Sequence, residues 1–179
     1  MKRTTITGCA LFFAGCMLLS AQEQELIRNG SFENGTEGWV VKGKCTLNTA
    51  DKTEGKQSLC VAKKKNVRFD EIRQEVKVEP DTDYELTYFV KCQDLVQNDP
   101  RAKAFGVSAS ISGGGKRSCW GSAGLWKYDH GTFDWKKVTV RFNTKNFKNP
   151  DSLLISIQCP SAYGTFLVDA VSLRKVEKK

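Results

Sequence analysis

The two ends of the chain constrain its fold most strongly, because each carries a short motif typical of a β-sheet protein. Residues 29–33 read Asn-Gly-Ser-Phe-Glu, and residues 166–173 read Phe-Leu-Val-Asp-Ala-Val-Ser-Leu. Between them lie apolar or alternating runs bounded by turn residues, with no convincing helical pattern. Strands that follow one another without helices favour a sandwich of two sheets. If the first and last strands pair in such a sandwich, Glu33 and Asp169 lie close together.

Regular alternation of apolar and polar residues predicts which face of each strand is buried. Residues 84–91 have apolar side chains at every second position, from Tyr84 to Val90, and residues 71–78 alternate in the same way. The sequence therefore predicts an all-β fold, a β-sandwich of two antiparallel sheets with about eight or nine strands. A chain of 179 residues accommodates one domain, which we place at residues 22–175, followed by a basic tail at 176–179.

The first 21 residues have the pattern of a secretory signal peptide. Lys2 and Arg3 provide the positive start, and an apolar stretch that is too short for a confident transmembrane helix leads to Ala21. An alternative is lipidation, because residues 13–16 (Phe-Ala-Gly-Cys) resemble a bacterial lipobox ending at Cys16. We therefore expect a secreted, periplasmic or cell-surface bacterial protein, with a membrane contact only if Cys16 is lipidated.

The charge and the cysteines exclude several classes of function. The net charge is +8, of which Lys2 and Arg3 contribute two, so the mature domain carries about +6 and favours acidic partners such as an acidic glycan. Nucleic acid is an unexpected target for an exported chain. No Cys-x-x-Cys motif occurs and His130 is the only histidine, which argues against a zinc or thioredoxin-like site.

Five cysteines remain after removal of the signal peptide, enough for two disulfides in an oxidising compartment. They are Cys45, Cys60, Cys92, Cys119 and Cys159. The sequence does not determine their pairing. Our best guess is a bridge between Cys45 and Cys60, which lie on successive predicted strands.

Several short segments in a fixed order resemble the carbohydrate-binding modules of the family 4/9/22 type. They are residues 29–33 with Gly38-Trp39, residues 55–59, residues 73–76 leading to Pro80 and Tyr84, residues 135–142 and residues 168–173. These modules are galactose-binding-like jelly rolls, usually attached to secreted glycoside hydrolases. The resemblance implies binding of a polysaccharide without catalysis. Two alternatives stay open: a structural or adhesion module that binds a protein partner, and an accessory module that docks on a separate glycoside hydrolase.

The resemblance also implies a structural calcium ion. In the family, an acidic residue of the opening motif and one of the closing motif hold the ion, and Glu33 and Asp169 match those positions. Because Ca²⁺ takes six to eight oxygen ligands, carbonyl groups around Ser31, Thr53 or Lys56 would have to complete the shell. The alternative is that both acids are ordinary turn or edge residues.

Sugar recognition combines aromatic rings, which stack on pyranose faces, with planar polar groups that reach hydroxyls. Aromatic residues in predicted loops and residues on a predicted outer sheet face are the candidates. They are Trp120, Trp126, Tyr128 and Tyr163 in loops, and Phe89, Lys91 and Arg73 on strands. A tryptophan of this group could instead fold back to cap the sandwich. We expect Trp39, Trp135 and Gln74 in the core.

The sequence gives little support to catalysis. Glycoside hydrolysis needs two carboxyl groups that face each other across the scissile bond, and no motif distinguishes such a pair among the surface acids. A Ser-His-Asp site would depend on His130, which stands alone in a polar loop. We therefore expect a binding protein and not an enzyme.

Overall fold

The computed structural model describes residues 24–65, 69–113, 127–147 and 151–176. Within these ranges the chain forms nine strands and one short 3-10 helix at Thr144–Asn146. The strands are β1 (Val40–Gly43), β2 (Thr46–Asn48), β3 (Ser58–Lys63), β4 (Phe69–Lys77), β5 (Asp83–Gln97), β6 (Ser108–Gly113), β7 (Gly131–Asn143), β8 (Ser152–Gln158) and β9 (Ala162–Lys175). The predicted signal peptide, Trp120, Trp126, Cys119 and the last three tail residues lie outside the described residues.

The strands form two antiparallel sheets, which confirms the predicted all-β sandwich. One sheet has four strands in the order β1-β4-β8-β6, and the other has five in the order β2-β3-β9-β5-β7. Such non-consecutive neighbours are typical of a jelly roll. Among the described residues, no helix is long and apolar enough to cross a membrane.

The opening motif contacts the closing strand, as expected for a closed sandwich. Leu26 donates its backbone N–H to the carbonyl of Leu173 at 3.0 Å, and Val171 donates to the carbonyl of Gly30 at 3.0 Å. Because β9 lies between β3 and β5, these bonds tie the start of the chain to the interior of the five-stranded sheet. The two ends of the domain therefore stabilise each other.

The core lies between the sheets and follows the alternation of the sequence. Every second residue of β5 and β8 points inward because successive side chains of a strand face opposite ways. The buried residues of these two strands include Tyr84, Leu86, Tyr88, Val90, Leu153, Ile155 and Ile157. The prediction that residues 84–91 form a half-buried strand is confirmed.

Gln74 lies in this core, as predicted, and its amide is fully used. Its Oε1 accepts the backbone N–H of Arg28 at 2.8 Å, and its Nε2 donates to the Arg28 carbonyl at 3.0 Å. A buried amide is tolerated when its hydrogen bonds are satisfied. Gln74 therefore attaches the opening segment to β4.

The two tryptophans expected in the core differ. Trp39 is buried and packs on Phe32, with ring centroids 5.6 Å apart, as predicted. The prediction for Trp135 is wrong: the ring is partly exposed, and its Nε1 donates to Asp51 Oδ1 at 2.7 Å. The reason is its position in β7. Trp135 and Val138 are three residues apart, so their side chains point to opposite faces, and Val138 packs against the core.

The cysteines of the described residues are free thiols, namely Cys45, Cys60, Cys92 and Cys159. The predicted bridge between Cys45 and Cys60 is wrong, because the register of β2 and β3 pairs Cys60 with Thr46 instead. Cys45 is one residue out of register, and neighbouring residues of a strand point to opposite faces. Burial raises the pKa of Cys92 to about 12 and that of Cys159 to about 11, so both thiols stay protonated at neutral pH.

Candidate functional site

The predicted sugar-binding residues are distributed over opposite faces of the sandwich. Arg73 of β4 lies on the outer face of the four-stranded sheet, whereas Phe89 and Lys91 of β5 lie on the outer face of the five-stranded sheet. Tyr163 belongs to strand β9 and not to a loop, and pairs with Val96. The described candidates therefore do not form one surface, and each face is considered separately.

Polar side chains form rows across the outer face of the four-stranded sheet. Antiparallel register places residues of β4, β8 and β6 directly opposite one another. One row consists of Arg73, Ser156 and Ser110, and the next consists of Glu71, Gln158 and Ser108. This face therefore presents a guanidinium, a carboxylate and an amide beside hydroxyl groups.

Two serine residues of this face are buried beneath their neighbours. Ser108 and Ser156 point away from the core, yet Ser108 is 0 % exposed and Ser156 is 4 % exposed. The Gln158 amide donates to the Ser108 hydroxyl at 3.3 Å, which orients its side chain along the row. Oriented polar groups on a sheet face are the kind of groups that select a hydroxyl-rich ligand.

Ion pairs orient Arg73. Its Nη1 lies 3.1 Å from Glu71 Oε1, and Lys42 Nζ lies 2.9 Å from the same oxygen. Burial raises the pKa of Glu71, but hydrogen bonds from Lys42 and Ser156 outweigh this effect, and the pKa lies below its usual value. Glu71 is therefore ionised at neutral pH and positions the guanidinium group, whose side chain remains 32 % exposed.

The predicted aromatic segment is anchored at the same sheet. Gly113 ends β6, and Asp129 pairs with Val107 just before β6, through reciprocal backbone hydrogen bonds of 2.8 Å. The chain therefore enters and leaves residues 114–126 along this edge strand. Tyr128 precedes the Asp129 bridge and is partly buried, and this burial raises the pKa of its hydroxyl. Of the predicted loop aromatics with described placement, Tyr128 is the one beside the four-stranded sheet.

On the opposite face, Lys91 is already held by two carboxylates. Its Nζ lies 2.8 Å from Asp51 and 3.0 Å from Asp134, and Asp51 also accepts the Trp135 indole N–H. This network attaches the segment that contains Asp51 to the five-stranded sheet. Sequence reasoning missed Trp135 as a surface aromatic, although its alternation with Val138 could have revealed it.

Glu33 and Asp169 both bind one segment, residues 53–57. Asp169 is 0 % exposed, and its Oδ2 accepts the backbone N–H of Thr53 at 2.7 Å and that of Glu54 at 3.2 Å, together with the Thr53 hydroxyl at 2.8 Å. Glu33 Oε1 accepts the N–H of Lys56 at 2.8 Å. The expectation that the fold brings the two acids to the same place is confirmed.

These oxygens fit a calcium site only in part. Each of the two carboxylates already accepts N–H donors through one oxygen, and Asp169 Oδ1 accepts the N–H of Ala170 at 2.8 Å. Ser31 turns its hydroxyl to Glu54, a third acid nearby. Within the described ranges, no cluster of three or more histidine, cysteine or acidic side chains could hold a metal ion. Backbone carbonyls would have to supply most of the ligands that Ca²⁺ prefers.

Three acids that the sequence left open as catalytic carboxylates are engaged in ion pairs or hydrogen bonds, namely Asp129, Asp134 and Glu75. Asp129 pairs with Lys136, Asp134 pairs with Lys91, and Glu75 accepts the Ser152 hydroxyl. His130 packs on Phe105, with ring centroids 4.3 Å apart. These contacts are those of surface side chains and do not assemble two opposed carboxyl groups.

An antiparallel β-sandwich with a polar outer sheet face defines a fold class that many binding modules share. Comparison with family descriptions makes the class specific. The family described as carbohydrate binding domain, which groups modules of families 4 and 9, matches residues 24–163. The chain belongs to this family, whose members typically bind carbohydrate without catalysis. No curated protein matches the sequence.

Solved structures share the fold at low identity. The module TmCBM61, solved in complex with β-1,4-galactotriose, is 18 % identical with a TM-score of 0.58, over 86 % of this chain and 99 % of that one. The xylan-binding CBM22-1 domain of Paenibacillus barcinonensis Xyn10C is 18 % identical with a TM-score of 0.54, over 88 % and 97 %. A cyclase from Fischerella sp. TAU is 13 % identical with a TM-score of 0.54, over 87 % and 99 %. The same fold therefore also supports catalysis in another protein.

Proposed function

We propose that this protein binds a polysaccharide without cleaving it, and that the outer face of the four-stranded sheet is the binding surface. The observation that carries the proposal is the pair of polar rows on this face, in a chain that belongs to a carbohydrate-binding family. Arg73 donates paired hydrogen bonds to neighbouring hydroxyls, and Gln158 and Ser110 complete the polar contacts. Trp120 and Trp126 supply stacking surfaces.

In this proposal the protein acts outside the cytoplasm as a non-catalytic module. Support for export comes from the sequence of residues 1–21 alone. Docking on a separate glycoside hydrolase is compatible with the same surface, because a bound polysaccharide would bring the two proteins together.

Removing the Arg73 side chain tests the binding surface. We expect Arg73→Ala to weaken binding to the preferred polysaccharide by about 10- to 100-fold, the loss expected for a charge-assisted hydrogen bond of about 1.5–3 kcal/mol. Trp126→Ala should reduce retention comparably. The measurement is affinity electrophoresis of the mature protein in gels that contain plant, microbial or host polysaccharides, followed by calorimetry on the glycan that retains it.

The matched control is Arg101→Ala, which removes an arginine that is 90 % exposed and, among the described residues, pairs with the nearby Asp99. This variant should bind as the wild type does. If no polysaccharide retains the wild type, or if Arg73→Ala and Arg101→Ala behave alike, the four-stranded face is not the glycan surface and a protein partner becomes the better assignment.

A structural calcium ion held by Glu33 and Asp169 is part of the same proposal. The support is the convergence of both acids on residues 53–57, together with the family resemblance. When bound, the ion would neutralise these carboxylates and fix the opening motif against β9. Ligands that bind only the folded state raise its stability.

We therefore expect calcium to raise the Tm of the wild type and EDTA to reverse the rise. Glu33→Ala should lower the Tm in calcium and abolish the difference between calcium and EDTA, as measured by differential scanning fluorimetry. Glu37→Ala is the control, since Glu37 is an exposed acid in the same opening segment. An undiminished calcium response in Glu33→Ala would remove Glu33 from the site.

A further inference from the structure

A groove of about 600 Å³ lies on the outer face of the five-stranded sheet, on the side of the sandwich opposite Arg73. Strand β5 forms its floor with Thr87 and Phe89. Residues of β7 form one wall, and the opening segment with Glu54 forms the other. This groove is thus separate from the surface assigned above.

Phe89 gives the floor an aromatic ring that the core does not use. It is half-buried and points outward, between the inward-facing residues Tyr88 and Val90. Register places it directly opposite Lys137 of β7, so the two side chains project from neighbouring positions on one face. An aromatic ring beside polar groups is the arrangement on which the C–H face of a sugar stacks.

Within the described part of the chain, the charges of the groove leave one cation without a carboxylate partner. Three of the four basic side chains that line the groove form ion pairs, and these pairs are Arg141 with Glu85 at 2.6 Å, Arg174 with Glu25 at 3.1 Å and Lys175 with Glu79 at 2.6 Å. Lys137 is exposed and, among the described residues, pairs with no carboxylate. Lys91, on the same face, differs because Asp51 and Asp134 hold it.

Lys137 is therefore the group in the groove that is available to a ligand anion. The opposite wall carries the carboxylate of Glu54, whose described partner is the Ser31 hydroxyl. Repulsion from Glu54 and attraction to Lys137 both direct a negative group of the ligand towards β7. The Glu85–Arg141 pair lies two rows along the same strands and offers hydroxyl-binding groups at the other end of the floor.

We propose that this groove is a second carbohydrate site, independent of the Arg73 face, and that it takes an anionic oligosaccharide. One sugar ring stacks on Phe89, and its carboxylate or sulfate group binds Lys137. Because the two sites occupy opposite faces, one molecule can bind two polysaccharide chains at once. Such bivalence strengthens attachment to a multichain surface without any additional contact.

The test is calorimetric titration of the mature protein with three soluble probes: trigalacturonic acid, a sulfated galactan trisaccharide and neutral β-1,4-galactotriose. We expect saturable binding of an anionic probe that weakens with ionic strength. Lys137→Gln should weaken it about 10-fold without changing the affinity for neutral galactotriose, and Phe89→Ala should abolish binding of the anionic probe. The carboxylated and sulfated probes distinguish the two sources of charge.

Arg73→Ala separates this proposal from the proposed function, because it should leave binding of the anionic probe unchanged while weakening polysaccharide retention. Both groove positions are on the surface, and thermal unfolding verifies that the variants are folded. The proposal is overturned if neither anionic probe binds the wild type, if galactotriose binds in the same groove with equal affinity, or if Lys137→Gln binds the anion as tightly as the wild type does.

Discussion

Replacing Asp169 with alanine should lower the free energy of unfolding by about 3–5 kcal/mol, a large part of the stability of a single domain. Asp169 is fully buried, and its Oδ2 accepts three hydrogen bonds from Thr53 and Glu54. Alanine would leave these donors without their acceptor. The measurement is equilibrium denaturation by guanidinium chloride, with tryptophan fluorescence as the signal that reports unfolding.

Asp169→Asn removes the charge of the side chain but keeps its shape, so its comparison with Asp169→Ala separates the two effects on stability. Asparagine keeps one acceptor oxygen for the donors of residues 53 and 54 but places an NH2 group where Oδ1 accepts the Ala170 N–H, so we expect an intermediate loss of about 2 kcal/mol. The loss in Asp169→Ala should persist in EDTA, because the hydrogen bonds involve protein groups alone. A loss of less than about 1 kcal/mol in EDTA would mean that these bonds contribute little to stability.

The sequence predicts the faces of the strands well, because alternation reports which side chains share a phase. The segment around Tyr88 is buried on one side as predicted, and Gln74 lies in the core. The same rule places Trp135 on the outer face, because it lies an odd number of residues from Val138, which faces the core. The prediction of a core position for Trp135 was wrong because it gave more weight to family resemblance than to phase.

Alternation cannot say to which sheet a strand belongs. Arg73 and Phe89 both point outward, but their strands lie in different sheets, so the two side chains emerge on opposite sides of the sandwich. Sheet membership depends on long-range pairings such as β4 with β8, which are set by the whole chain. For this reason the sequence identified candidate ligand contacts but not the surface to which each belongs.

The register between paired strands cannot be predicted from local alternation either. Cys45 immediately precedes β2, which pairs with the strand of Cys60, yet a displacement of one residue puts Thr46 opposite Cys60. For a related reason, Lys137 could not be selected from the sequence alone. Its proposed role depends on its position opposite Phe89, 48 positions earlier in the chain. It also depends on the absence of a carboxylate partner among the described residues. Neither property is visible in a local pattern.

Gly30→Ala should destabilise the domain by about 3 kcal/mol or more, because a side chain there meets backbone and not a flexible neighbour. A Cβ atom at this position would lie 1.9 Å from the Val171 carbonyl oxygen and 3.3 Å from Ile27 Cγ2. The opening segment would have to move away from β9, and the hydrogen bond from Val171 to the Gly30 carbonyl would be lost. Thermal and chemical unfolding measure the effect.

Gly35→Ala is the matched control. Gly35 has a φ of +63°, which costs an alanine about 1–2 kcal/mol, but the heavy atom nearest to an alanine Cβ at this position would be 3.8 Å away. Gly30→Ala should therefore be clearly more destabilising than Gly35→Ala, and equal losses would contradict the steric argument. Since Gly30 also lines the groove, its displacement from β9 should weaken binding of an anionic oligosaccharide below the unfolding temperature while the Arg73 face still retains polysaccharide. The opening motif thus links the stability of the domain to binding in the proposed groove.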